Sequence, residues 1–152
     1  MMNIVRENLY EFQRGQEPKK TLELGGEYEK VKKWLSQFLY KPQWKLNDDW
    51  TIDIIRADFI ISGEKVPEFP DFINFNKAYR DFIVSNAGME LFRGFPKIIE
   101  GNLSVSDNSF TSLHYFPEYV GGDVTITRNK GKTFSESEIS SICDVQGKIR
   151  SW

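Results

Sequence analysis

The feature that most constrains this 152-residue chain is a segment that repeats with a period of 21 residues. The pair Phe95-Pro96 returns as Phe116-Pro117, and Asn108 returns as Asn129. A period of about 20 to 29 residues is typical of a solenoid, in which each copy forms one coil and stacks on the next. The core is therefore expected to lie between successive coils.

Three copies align in phase over residues 81–134, and a fourth, degenerate copy begins in the segment 58–62. Three to four rungs are therefore predicted, each adding one short strand to a parallel sheet. Alternate residues of a strand point to the same face. The positions expected to face the core are Phe82, Val84, Leu103, Val105, Val124 and Ile126.

An asparagine follows the strand in two of the copies, in the pattern L-x-L-x-x-N over residues 103–108 and its counterpart over residues 124–129. Asn108 and Asn129 are expected to turn inward there, so that their amides satisfy backbone groups that would otherwise be buried without a partner. The earliest of the three copies has Ala87 at this position and is expected to be less regular.

The flanking segments have helical and strand patterns. Val31, Leu35 and Phe38 recur at the spacing of one helix face and predict a helix over residues 26–40, ended by Pro42. Residues 50–62 hold two apolar, β-branched runs typical of short, irregular strands. A capping-box signature at the start of the segment 135–146 predicts a second helix.

The predicted fold class is α/β, with an N-terminal arm over residues 1–24 and a single domain over residues 25–152. The domain contains the helix 26–40, the strands 50–62, the repeat coil 81–134 and the C-terminal helix 135–146. Because the ends of a coil expose its core, the two helices are expected to cap them.

The residues between the core positions should form three rows on the exposed face of the sheet. Repeat proteins often bind their partners with this face, so these rows form the predicted binding site. Its members are Asp81, Ile83, Ser85, Asn102, Ser104, Ser106, Asp123, Thr125 and Thr127.

Composition argues against several other classes. The net charge of −2 lacks the basic excess of a nucleic-acid binder, and no apolar run approaches the length of a membrane span. A lone cysteine cannot form an internal disulfide, and the N-terminal segment lacks the pattern of a secretory signal.

Catalytic and cofactor motifs are also missing from the sequence. The only histidine is His114, no metal-ligand or phosphate-binding motif occurs, and no metal or cofactor is expected. The remaining catalytic alternative is a set of acids, Asp48, Asp49, Asp53 and Asp58, of which Asp53 is expected to face solvent.

Two resemblances suggest an origin. The copies resemble leucine-rich repeats of the form P-x-x-[VI]-x-G-[ND]-x-x-[VC]-S-x-N, common in proteins of bacteriophages and bacteria. The segment LYEFQRGQEPKKTLELG is similar to a leader, F-x-R-G-x-[DE]-P-K-x-x-L-x-[IL]-G, that begins many otherwise unrelated proteins of phages infecting Bacteroidota. The resemblances imply a leucine-rich-repeat-like phage protein in the host cytoplasm or on the virion.

The function expected from these observations is a non-catalytic protein-binding module of phage origin. Its partner would be a host factor, in an anti-defence or takeover role, or another phage protein, and self-association is compatible with the sequence. One alternative is a structural virion or assembly component in which the leader drives assembly. The other is a metal-dependent enzyme that uses the acids of residues 48–58.

Overall fold

The structure is a computed structural model that describes residues 21–152, with side chains described from residue 26 onward. Its helices are α1 (Thr21–Leu35) and α2 (Glu136–Ser140). Its strands, in chain order, are β1 (Trp44–Leu46), β2 (Ile52–Ile54), β3 (Phe59–Ser62), β4 (Phe75–Ala78), β5 (Phe82–Ser85), β6 (Ile98–Ile99), β7 (Leu103–Ser104), β8 (Tyr119–Val120), β9 (Val124–Thr125), β10 (Asp144–Val145) and β11 (Ile149–Arg150). Most of the predicted leader, residues 1–20, lies outside the described residues, and residues 21–24 belong to α1.

The strands from β2 onward form five successive pairs, and each pair adds one strand to each of two sheets. The first sheet has the order β1-β2-β4-β6-β8-β10, and the second sheet has the order β11-β9-β7-β5-β3. Neighbouring strands are parallel throughout, except that β1 is antiparallel to β2. The chain therefore winds as a coil of about four turns between the two sheets.

The predicted parallel coil and its core are confirmed. Phe82 lies in register with Leu103, and Leu103 in register with Val124, so equivalent residues of successive copies are neighbours in space. All six predicted core positions are buried, with an exposed fraction of at most 2%. The period of 21 residues thus corresponds to one full turn of the coil.

The inward asparagine is also confirmed. Asn108 is buried, and its Oδ1 accepts hydrogen bonds from the backbone N–H groups of Ala87 (3.2 Å) and Met89 (3.0 Å). Its Nδ2 donates to three backbone carbonyls, the nearest being that of Val84 at 2.8 Å. Asn129 is half-buried and bonds both the N–H and the C=O of Phe110.

The prediction of one strand per copy, confined to residues 81–134, is wrong. Each copy contributes two strands, because a two-residue strand such as β6 or β8 also pairs in the first sheet. A strand that short is too brief to show an alternating pattern in the sequence. The coil also extends further than predicted in both directions, and β2 and β3 within the segment 50–62 are its first strand pair.

The predicted C-terminal helix 135–146 is also wrong in extent and place. The capping box of Ser135 and Glu138 is present, but α2 ends at Ser140 and a fifth strand pair follows it. The N–H of Gly147 donates to the carbonyl of Gly122 at 2.9 Å, so Gly147 takes the same turn position one coil later. Because α2 lengthens this copy to 25 residues, a search at a fixed period of 21 does not detect it.

Helix α1 covers the N-terminal end of the coil, as predicted. Its apolar residues Val31 and Leu35 are buried, although the helix ends at Leu35 rather than near residue 40 because the chain then turns. The ring of Trp34 lies 6.3 Å from that of Phe59 in β3, and the ring of Phe38 lies 5.4 Å from it. The helix is thus held to the first coil by aromatic packing.

Candidate functional site

The nine predicted binding residues form three rows that run across the second sheet. The first row precedes the strands, the middle row lies within them, and the third row lies at or beyond their ends. The rows are Asp81, Asn102 and Asp123; then Ile83, Ser104 and Thr125; then Ser85, Ser106 and Thr127.

The first row is a ladder of hydrogen bonds that ties each coil to the next. Asp58 Oδ1 accepts from the N–H of Asp81 at 3.0 Å, and Asp81 Oδ1 accepts from the N–H of Asn102 at 2.8 Å. Asn102 Oδ1 accepts in turn from Asp123, and Asp123 Oδ1 from Lys148, both at 2.8 Å. Each side-chain oxygen therefore satisfies a backbone donor of the next turn.

The third row is largely buried. Ser106 is 6% exposed and Thr127 is 3% exposed, and their hydroxyl oxygens lie 2.7 Å apart. Ser106 Oγ also accepts from the backbone N–H of Thr127 at 3.1 Å. The prediction that these two residues lie on the exposed face is wrong, because the strands β7 and β9 end two residues earlier and the hydroxyls bond between the coils.

The middle row is the row that presents side chains outward from the sheet. Ile83, Ser104 and Thr125 are each half-buried, as expected for residues on the outer face of a strand. The register extends this row in both directions, so that its members, here called the middle row, are Ile60, Ile83, Ser104, Thr125 and Arg150.

Two members of the middle row were not among the predicted site residues. Ile60 is 50% exposed and belongs to the degenerate fourth copy, whose pattern was visible over residues 58–62. Arg150 belongs to the fifth copy, which the lengthened connection conceals. Gly147 was the available signal for that copy, since it matches Gly122 in position.

Ion pairs beside the rows connect neighbouring coils. Asp123 Oδ2 lies 3.0 Å from Arg150 Nη1, and Asp107 forms a two-point pair with Arg128 at 2.8 Å for each bond. The backbone N–H of Lys148, and then Arg150, hold the pKa of Asp123 below its usual range. The hydrogen bonds from Arg128 lower the pKa of Asp107 in the same way.

The acids of residues 48–58 do not form a catalytic cluster. Asp53 is buried rather than solvent-facing, because β1 and β4 flank it and the side-chain amides of Asn47 and Asn76 each donate to Oδ1 at 3.1 Å. Asp49 accepts from the backbone and hydroxyl of Thr51, and Asp58 belongs to the ladder. Among residues 21–152, no group of three or more His, Cys, Asp or Glu side chains is placed to hold a metal ion.

The lone histidine and the lone cysteine lie apart from the middle row. His114 is exposed in the connection between β7 and β8, where its ring is 4.1 Å from that of Tyr115. Cys143 is buried, and burial raises the pKa of its thiol to about 11. A thiol with that pKa is protonated near neutral pH and is a poor nucleophile.

The chain was compared with known proteins at three levels. No family model, no curated protein and no solved structure matches it. Neither α1 nor α2, the helices of the described residues, is both long and apolar enough to cross a membrane.

Proposed function

We propose that this protein is a non-catalytic protein-binding module of phage origin, and that its middle row contacts the partner. The partner is a protein of the bacterial host or another phage protein. The observation that carries the proposal is the pair formed by Ile60 and Ile83, which lie directly opposite each other on β3 and β5 and point outward from the sheet.

An exposed isoleucine pair on a rigid sheet supports binding of a protein. Ile60 is half-exposed although the chain buries its other strand isoleucines well, and covering its remaining surface would release apolar area from water. The parallel strands hold both side chains in fixed positions, so little conformational entropy is lost when a partner docks.

The rest of the middle row favours a protein over a nucleic acid. Ser104 and Thr125 are small and uncharged, and the charge of Arg150 is paired with Asp123 at 3.0 Å. Nucleic-acid affinity rests on many unpaired cations facing phosphates, which this row does not present. An apolar patch beside small polar groups is instead typical of a modest protein interface.

The test is affinity capture with Ile60→Lys and a matched control, Ile142→Lys. Ile142 is 46% exposed against 50% for Ile60, and it lies away from the second sheet, so both substitutions change surface charge equally. Tagged variants are expressed in a Bacteroidota host, with and without phage infection. We expect a protein captured by the wild type and by Ile142→Lys to be lost with Ile60→Lys.

Other outcomes decide between the proposal and its alternatives. Capture that is unchanged by Ile60→Lys would contradict binding through the middle row. Co-sedimentation with phage particles, with no free complex, would favour a structural virion component. A rise in melting temperature with a divalent cation would favour the enzyme that uses acids of residues 48–58.

A further inference from the structure

Two equivalent turns in the connections from the second sheet to the first differ in one residue. In residues 92–95 and residues 113–116, the N–H of the fourth residue donates to the carbonyl of the first at 3.0 Å. The third residue has positive φ in both turns, 90° at Gly94 and 68° at Tyr115. This turn geometry favours glycine at that position, and a bulky side chain there is strained.

The strain at Tyr115 is not explained by packing within the protein. Its side chain is 60% exposed, and the neighbouring ring of His114 is exposed as well. A strained backbone that holds an aromatic ring out into solvent points to a binding role for that ring, since such strain collects at functional sites.

A groove of about 350 Å³ lies beside Tyr115 and crosses the starts of the strands of the first sheet. Its floor includes the rings of Phe95 and Phe116, which are nearly buried. It runs from Thr51, ahead of β2, to Glu118, ahead of β8, and so spans four successive coils.

One polar side chain per coil lines this groove in its central part. Asn76, Lys97 and Glu118 occupy successive coils, because the N–H of Lys97 donates to Asn76 O at 2.9 Å and the N–H of Glu118 donates to Lys97 O at 2.8 Å. The three side chains thus repeat at the spacing of parallel strands, ~4.8 Å.

We propose that this groove binds a neutral oligosaccharide. A pyranose unit of a linear glycan advances by about 5 Å, close to the strand spacing of ~4.8 Å, whereas side chains on one side of an extended peptide repeat every ~6.8 Å. Successive sugars can therefore meet successive coils in register, which a peptide strand cannot.

The chemistry of the groove fits sugar hydroxyls, which both donate and accept hydrogen bonds. Lys97 donates, Glu118 accepts, and an amide such as Asn76 can do both. The charges of Lys97 and Glu118 oppose each other, so the row favours a neutral ligand. The exposed ring of Tyr115 provides the flat apolar surface on which a pyranose face can pack.

The test compares Tyr115→Gly with Tyr40→Gly, which removes an exposed tyrosine far from the groove. The probes are linear trisaccharides to hexasaccharides of the malto, cello, xylo and chito series, titrated against the full chain by NMR. We expect wild type and Tyr40→Gly to bind at least one series with a dissociation constant of about 1 mM, and Tyr115→Gly to bind at least about 10-fold more weakly.

The stability of the same variants separates a binding role from a structural one. Because Gly94 shows that glycine suits this turn, Tyr115→Gly is expected to raise the melting temperature by about 3 °C while it weakens binding. A wild type that binds none of the series, a Tyr115→Gly variant with unchanged affinity, or one that melts at a lower temperature would each overturn the proposal. The groove and the middle row are distinct surfaces, so failure of one proposal leaves the other intact.

Discussion

The chain passes between its two sheets in two different ways, and the contrast explains where function can reside. From the first sheet to the second it uses tight turns, residues 100–102, 121–123 and 146–148, here called the turn side. In the opposite direction it uses the longer connections 86–97, 105–118 and 126–143, here called the connection side.

The turn side is held by backbone contacts that leave no room for variation. A Cβ added at Gly101 would lie 2.6 Å from the carbonyl carbon of Arg80 in the previous coil, and Gly122 and Gly147 are equally close to the coil before them. The ladder of Asp and Asn side chains is bonded to backbone N–H groups on this side. These residues are occupied by the fold and are poorly suited to bind a partner.

The connection side is held mainly by buried rings, which constrain the path of the chain less tightly. Phe92 and Phe110 stack with their centroids 3.8 Å apart, and Phe116 packs edge-on to Phe92 at 5.0 Å. A helix can be inserted here, as α2 shows, and a glycine can be exchanged for Tyr115. Departures from the repeat therefore collect on the side that bears the groove.

The largest expected effect tests the exception on the connection side, the buried Asn108. We expect Asn108→Ala to lower the free energy of unfolding by about 3 kcal/mol, because the N–H groups of Ala87 and Met89 lose their acceptor. Asn108→Leu should do no better. The control is Asn129→Ala, which should cost about 1 kcal/mol since Asn129 is only half-buried. Urea unfolding measures all three, and equal losses at both asparagines would contradict the structure.

A smaller loss is expected from Gly101→Ala on the turn side. The added methyl group must displace the backbone of Arg80, which should cost about 2 kcal/mol. Gly26→Ala is the matched control, because a Cβ at this exposed helical position meets nothing within 4 Å. It should raise stability by about 0.5–1 kcal/mol. Thermal or urea unfolding that ranks the two variants alike would show that the turn side is not tightly packed.

The smallest expected effect concerns pH. The pKa of Asp123 is lowered in the folded state, so the carboxylate stabilises the fold above the ordinary aspartate pKa, about 3.9, and that contribution is lost as pH falls through the lower folded value. Asp123→Asn should keep the bond to Lys148, as Asn102 does one coil earlier, but lose this pH dependence. Unfolding curves from pH 6 downward should therefore show wild type losing stability relative to the variant; parallel curves would contradict the assigned pKa.

Much of the fold could be predicted from the sequence because the period and the alternation record the coil directly. The core positions in the second sheet follow from alternation over strands such as β5. The first sheet was missed because two-residue strands such as β6 carry no alternation. The fifth coil was missed because α2 breaks the period.

The candidate site was only partly predictable. Alternation identifies the side chains that point outward, and Ile83 of the middle row was found in this way. It does not show that Asp81 bonds to the next coil or that Ser106 is buried, since both depend on contacts between coils. The exchange of Gly94 for Tyr115 was visible at the offset of 21 residues, but its meaning required the positive φ.

The central claim is that the copies stack as one parallel coil that continues into the fifth strand pair. Methyl NOE measurement on a Leu-, Val- and Ile-labelled chain tests it most directly. The structure predicts that Leu103 contacts Val124 and that Val124 contacts Ile149, in one unbroken row. A Val124 without contacts to Ile149, or contacts that follow an antiparallel order, would contradict the coil.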